Sequence, residues 1–195
     1  PVLKNLERSS LLIGLKPHVD TVTAHWGKIG LSNYHFPWNR AFEIDMDKEI
    51  VKKVFALAEK YHKPVYAVVS NMSIAVERRD FFRSTHCFVC NQQEAGILFS
   101  EDYDDKTPKE MQRLLAARIR SAQIPRMVVT MGAQGAVYAT NDGEEGWCPA
   151  KKVDVKDTTG AGDAFFAGVT IGLTYGKTMA EACEIGTRLA ASGIC

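Results

Sequence analysis

The run Asp157-Thr158-Thr159-Gly160-Ala161-Gly162-Asp163 lies between a strand-like segment and a helical pattern with small residues at Ala164, Gly168 and Gly172. Gly160 and Gly162 lack a Cβ, so the backbone there can bend sharply and aim successive N–H groups at one point. Such donors, unpaired at a helix N-terminus that carries about half a positive charge, suit an anion such as a phosphate. Asp163 then falls in the first helical turn, beside an anion that it would repel. Two readings stand side by side. The carboxylate accepts the proton of a hydroxyl attacking a phosphoryl group held by the loop, or it is a first-turn acid that complements the helix dipole.

Two further segments carry candidate residues. In Asn91-Gln92-Gln93-Glu94 the acid stands three residues after an N-capping residue type, which suits either a ligand site at a strand end or an ordinary capping box. In Thr130-Met131-Gly132-Ala133-Gln134-Gly135 the two glycines suit a ligand loop or a plain hairpin. Other features are set aside. Gly172 to Thr178, GLTYGKT, has three residues between its glycines where a Walker A loop needs four, and a helix precedes it instead of a strand. Cys87-Phe88-Val89-Cys90 has C-x-x-C spacing inside a strand pattern with no second ligand pair, so it reads as buried structural thiols. The five histidines show no metal-binding spacing, His25-Trp26 reads as incidental, and Arg78, Arg79 and Arg83 read as a solvated helix face.

Alternating elements must position these residues. Leu11 to Leu15 and Val19 to Ala24 read as short strands, and the segment from Gly27 to Asn39 as a loop. Val51, Val54, Phe55, Ala58 and Tyr61 recur at helical spacing after an Asp47 cap, which predicts a helix over 48–62. Pro64 opens the apolar strand Val65 to Val69, and His86 to Cys90 forms another before the turn into helix at NQQEAGILF. Thr107, Pro108 and Glu110 make a capping box, and Met111, Leu114, Leu115 and Ile119 supply the stripe of the helix that follows. Met127 to Thr130 and Ala136 to Thr140 read as strands, with short strand-like pieces around Trp147 and Val153. Two helices close the chain, Ala161 to about Tyr175 and one capped by Thr178 with Glu181 three residues on. The pattern implies an α/β fold, a mainly parallel sheet with helices on both faces, whose ligands bind at the carboxyl ends of the strands.

With 195 residues, 46% hydrophobic and 24% charged, disorder is excluded and one domain is the expectation. The net charge of +1, with acids and bases interspersed, gives no footprint for nucleic acid or an anionic membrane. No apolar run approaches the roughly 20 residues that span a bilayer, the five cysteines are an odd number that favours reduced thiols, and a cytoplasmic setting is expected. A first residue other than Met and an end at Cys195 suggest a fragment.

The three segments together resemble the PfkB (ribokinase-like) carbohydrate kinases: DTTGAGDAFFAG the C-terminal signature, Asn91 to Glu94 the N-x-x-E motif, and Thr130 to Gly135 the T-x-G-x-x-G nucleotide segment. The resemblance spans about residues 64 to 192 and is carried by three motifs in the family's order. It implies one ribokinase-like domain over 1–195, partial, without the family's N-terminal substrate and lid region and its extreme C-terminus. It implies ATP-dependent transfer of the γ-phosphoryl group to a hydroxymethyl group of a sugar or nucleoside. Asp163 would be the base, and the N–H groups of Gly160, Ala161 and Gly162 the anion hole. Thr130, Gly132 and Gly135 would line the nucleotide site, and Glu94 with Asn91 would hold Mg²⁺ through its waters. Asp157 and Thr159 match positions that help hold K⁺ in several relatives, and relatives often form homodimers through the lid. Around Val68-Val69-Ser70-Asn71 the family often carries an acid followed by proline, which this chain lacks. The competing expectation is a non-catalytic module of the same fold that binds a nucleotide or sugar phosphate.

Overall fold

A computed structural model describes residues 11–13, 48–68, 79–153 and 160–193. The expected elements at Asp47, Val19 to Ala24 and Gly27 to Asn39 lie outside them. Among the described residues six strands form one sheet in chain order: β1 (Leu11–Ile13), β2 (Val65–Val68), β3 (Cys87–Asn91), β4 (Arg126–Thr130), β5 (Ala136–Thr140) and β6 (Glu145–Cys148). β1 to β4 are parallel, whereas β5 and β6 are antiparallel and close one edge. The piece around Val153 is not a strand in residues 151–153. The helices are α1 (Lys48–Lys60), α2 (Arg79–Arg83), α3 (Gln92–Phe99), α4 (Pro108–Ala122), α5 (Ala161–Thr174) and α6 (Met179–Gly193).

The near-continuous apolar runs of the central strands are explained by burial on both faces. Phe88, Cys90, Met127, Val129, Val137 and Ala139 point into one core with Met111, Leu115 and Ile119 of α4. Their neighbours Cys87, Val89, Val128, Ala136 and Tyr138 point into the other, with Phe165, Phe166 and Val169 of α5 and Ala182 and Cys183 of α6. α4 begins at a reciprocal box: Thr107 Oγ1 accepts the Glu110 N–H and the Glu110 carboxylate accepts the Thr107 N–H. The expected box of Thr178 and Glu181 opens α6 in the same way.

α5 and α6 touch through small residues. A Cβ on Gly168 would lie 2.5 Å from the Gly186 Cα, and one on Gly172 would lie 2.8 Å from the Ala182 Cα. Backbones this close exclude any larger side chain. Cys87 and Cys90 are buried free thiols, and loss of hydration pushes the Cys87 thiol up to about 12. The structure corrects the reading of Arg83, which is exposed but not merely solvated. Its Nε–H donates to the Ala122 carbonyl at 3.1 Å, satisfying one of the orphan acceptors at the end of α4.

Candidate functional site

Asn91 is the last residue of β3 and the cap of α3, so one residue ends a strand and starts a helix. Its Oδ1 accepts the Glu94 N–H at 2.8 Å, and Glu94 Oε2 accepts the Asn91 N–H at 2.8 Å. The capping box is therefore formed, and it engages one carboxylate oxygen of Glu94. Burial pushes the Glu94 carboxyl above the usual glutamate range, against the smaller lowering effect of the Asn91 N–H.

The parallel register of β3 and β4 sets Asn91 directly opposite Thr130, the last residue of β4. Thr130 Oγ1 lies 3.4 Å from the Cys90 carbonyl, which it faces as donor. Beyond it the chain makes a single 3₁₀ turn, Gly132–Gln134, and reverses into β5. Gly132 has φ +55° with no described atom near its missing Cβ, and Gly135 has φ +95° with its missing Cβ only 2.1 Å from the Cys148 carbonyl oxygen. Both need glycine for conformation, and Gly135 needs it for space as well. Gly132, Ala133 and Gln134 are exposed above the sheet edge.

Gly160 caps α5 in the left-handed conformation, φ +80°, and its carbonyl accepts the Ala164 N–H at 2.9 Å as the first helical bond. The first-turn N–H groups of an α-helix lie ahead of the regular i to i−4 ladder, and here that turn is Ala161, Gly162 and Asp163. Gly160 and Gly162 are exposed, and Asp163 is half-buried in that turn. Among the described residues no atom lies within 4 Å of where a Cβ on Gly162 would sit. No described residue therefore requires a glycine here for packing, and a backbone without a Cβ suits the close approach of a ligand.

The far end of α5 shows which edge of the sheet its N-terminus faces. Thr174 Oγ1 lies 3.4 Å from the Tyr66 hydroxyl, near the amino end of β2. A helix of 14 residues is about 21 Å long, so α5 runs back along the sheet and opens toward the carboxyl edge. That is the edge of Asn91 and Thr130. Asn91 and Thr130 thus end their strands at the edge where open α/β sheets bind ligands, and the far end of α5 is tied to the opposite, amino end of β2. Asp157 and Thr159 lie outside the described residues.

The donor set bears on magnesium. Among the described residues no group of three or more His, Cys, Asp or Glu side chains is placed to hold a metal. Mg²⁺ keeps several waters and needs few protein carboxylates, so Glu94, half-buried with one oxygen outside the capping bond, fits an indirect role. The Walker-like run, by contrast, spans the end of α5 and the turn into α6, where Gly172 is packed against Ala182. One contributor went unseen in the sequence. Gln92, inside N-x-x-E, donates through Nε2 to the carbonyls of Tyr103 at 2.9 Å and Lys106 at 3.3 Å, tying the loop before α4 to the start of α3. No sequence signal distinguishes that amide from a surface glutamine.

Comparison with known proteins identifies a family and a fold. The family described as pfkB family carbohydrate kinase matches residues 39–194. Guanosine-inosine kinase of Exiguobacterium acetylicum is 32% identical over 155 residues, 79% of this chain and 50% of that protein. The solved adenosine kinase of Sinorhizobium meliloti superposes with a TM-score of 0.61 at 25% identity, over 73% of this chain and 43% of that one. A ribokinase of Arabidopsis thaliana, 21% identical over 73% of this chain and 45% of that one, shares the fold with a TM-score of 0.64. The chain spans about half the length of the curated relatives it matches. Since the matched span takes in all three motifs and strands β2 to β6, the chain belongs to the pfkB family of carbohydrate kinases.

Proposed function

We propose that this chain forms the nucleotide-binding and phosphoryl-transfer part of an ATP-dependent kinase whose acceptor is a hydroxymethyl group of a sugar or nucleoside. The observation that supports the reading is Gly162 in the first turn of α5, clear of described packing, in a chain where Asn91 and Thr130 pair at the carboxyl ends of β3 and β4. Thr130, Gly132 and Gly135 line the nucleotide site. The N–H groups of Gly160, Ala161 and Gly162 receive the transferred phosphoryl group, and fixed donors of this kind supply most of the stabilisation in such reactions. Asp163 takes the proton of the attacking hydroxyl, whose oxygen bonds to the γ-phosphorus as the bond to the bridging oxygen of ADP breaks. Magnesium, when held through waters oriented by Glu94 and Asn91, would draw charge from the β- and γ-phosphates. Asp157 and Thr159 are the chain's candidates for a potassium position.

A carboxylate beside a phosphate site repels the bound anion, so a pure binder gains nothing from it, and this separates the kinase from a pure binder. Asp163→Asn should lower turnover at least a hundredfold while ATP binds as tightly or more tightly. The assay is ATP consumption against guanosine, inosine, adenosine and ribose, with and without potassium, alongside calorimetric ATP titration. Equal turnover by both proteins would reject Asp163 as the base.

A further inference from the structure

The 3₁₀ turn of the T-x-G-x-x-G segment is held from outside by β6. Trp147 Nε1–H donates to the Gln134 carbonyl at 2.7 Å, a short bond for an indole that is 49% exposed. The next residue, Cys148, presents its carbonyl oxygen to Gly135 so closely that only glycine fits there. Two consecutive residues of an edge strand thus fix two consecutive residues of the turn. The pairing that places them is β5 with β6, in which Trp147 lies opposite Val137 and Cys148 opposite Ala136. Trp147 and Glu145 share one face of β6, and the Glu145 carboxylate accepts from Gln112 of α4 at 3.4 Å, which anchors the strand behind the turn.

From this geometry we infer that Trp147 is a positioning residue for the nucleotide: its indole N–H holds the Gln134 carbonyl, and so holds the Gly132–Gln134 turn in the shape that receives ATP. The inference rests on the proposed nucleotide role of that turn. An exposed tryptophan needs such a partner less than a buried one, because water can satisfy its N–H. What the bond restricts is the turn, whose residues are exposed and whose glycine at Gly132 leaves its backbone free to adopt other shapes.

The test is Trp147→Phe, which keeps an aromatic ring and removes the donor. Calorimetric titration with ATP should show binding weakened about three- to tenfold, the worth of one hydrogen bond. In turnover, KM for ATP should rise by the same factor while kcat and the acceptor KM stay within twofold. A readout independent of activity is the tryptophan emission that W147F removes, a component that ATP should change in the unsubstituted protein. Trp147→His, which restores a ring N–H, should recover part of the affinity. ATP binding unaltered in W147F, or nucleotide and acceptor KM rising together, would overturn the assignment to Trp147. Unsubstituted protein that binds no ATP would overturn the nucleotide reading itself, and this inference with it.

Discussion

Gly162→Ala separates packing from chemistry, because the two predict opposite signs. Gly162 is the second residue of α5, outside the left-handed region, and no described atom would meet its Cβ within 4 Å. Glycine in a helix is less favourable than alanine by up to about 1 kcal/mol, because it loses more backbone freedom on folding. Taking about half of that for a first-turn position, Gly162→Ala should stabilise the fold by roughly 0.5 kcal/mol, a rise of about 1–2 °C in Tm for a chain of this size. The methyl group would nevertheless stand where the transferred phosphoryl group meets the backbone. Displacing that group by about 1 Å costs about a hundredfold in rate. Thermal melts by circular dichroism and ATP-consumption assays, run in parallel, read both quantities. A protein that is more stable and about a hundredfold slower supports a glycine kept for its ligand. A destabilised protein would show that something packs against Gly162, and a stabilised one with full turnover would remove the anion hole from this position. Gly160→Ala is the companion, since φ +80° makes alanine strained there by about 1–2 kcal/mol, so stability and turnover should fall together.

Other outcomes follow from the same geometry. Glu94→Gln can retain the capping box, because glutamine serves as well as glutamate at that position, but it removes the charge proposed to orient magnesium-bound water. Stability should therefore stay within about 0.5 kcal/mol, while the affinity for Mg·ATP drops. In the unsubstituted protein that affinity should fall on acidification at a pH above the ordinary glutamate value of 4.5, because burial raises the Glu94 pKa and the ionised form is the one required. The stability linkage has the opposite sign: with the folded-state pKa raised, the contribution of Glu94 is fully present below its unfolded value and is lost as the pH rises through the folded one. pH titrations of binding and of melting temperature, each compared with E94Q, check both slopes, and a binding profile unchanged by E94Q would contradict the magnesium role. Gly168→Ala forces a methyl to 2.5 Å from the Gly186 Cα and should cost roughly 1–3 kcal/mol by driving α5 and α6 apart, measured as a drop in urea midpoint.

The features that the sequence resolves are those written in local chemistry. The boxes at Asn91, Thr107 and Thr178 each join residues three apart, so residue type and spacing determine them before anything else folds. The central strands are legible as apolar runs, and the glycines of the 132–135 turn and of the α5 cap are legible as places where the backbone leaves the usual range. The role of Arg83 is not legible in the sequence because its partner, the Ala122 carbonyl, is 39 residues away and is set by where α4 ends.

The sequence by itself determined the alternation of elements, their caps and the order of three motifs, because each depends on neighbours along the chain. Only the tertiary structure decided that Asn91 faces Thr130, that Gly168 meets Gly186, and that β6 supplies Trp147 and Cys148 to the turn at Gln134 and Gly135. Strand register and helix crossing fix those meetings, and a one-residue slip in register would move every side chain of a strand to the other face without altering any local pattern.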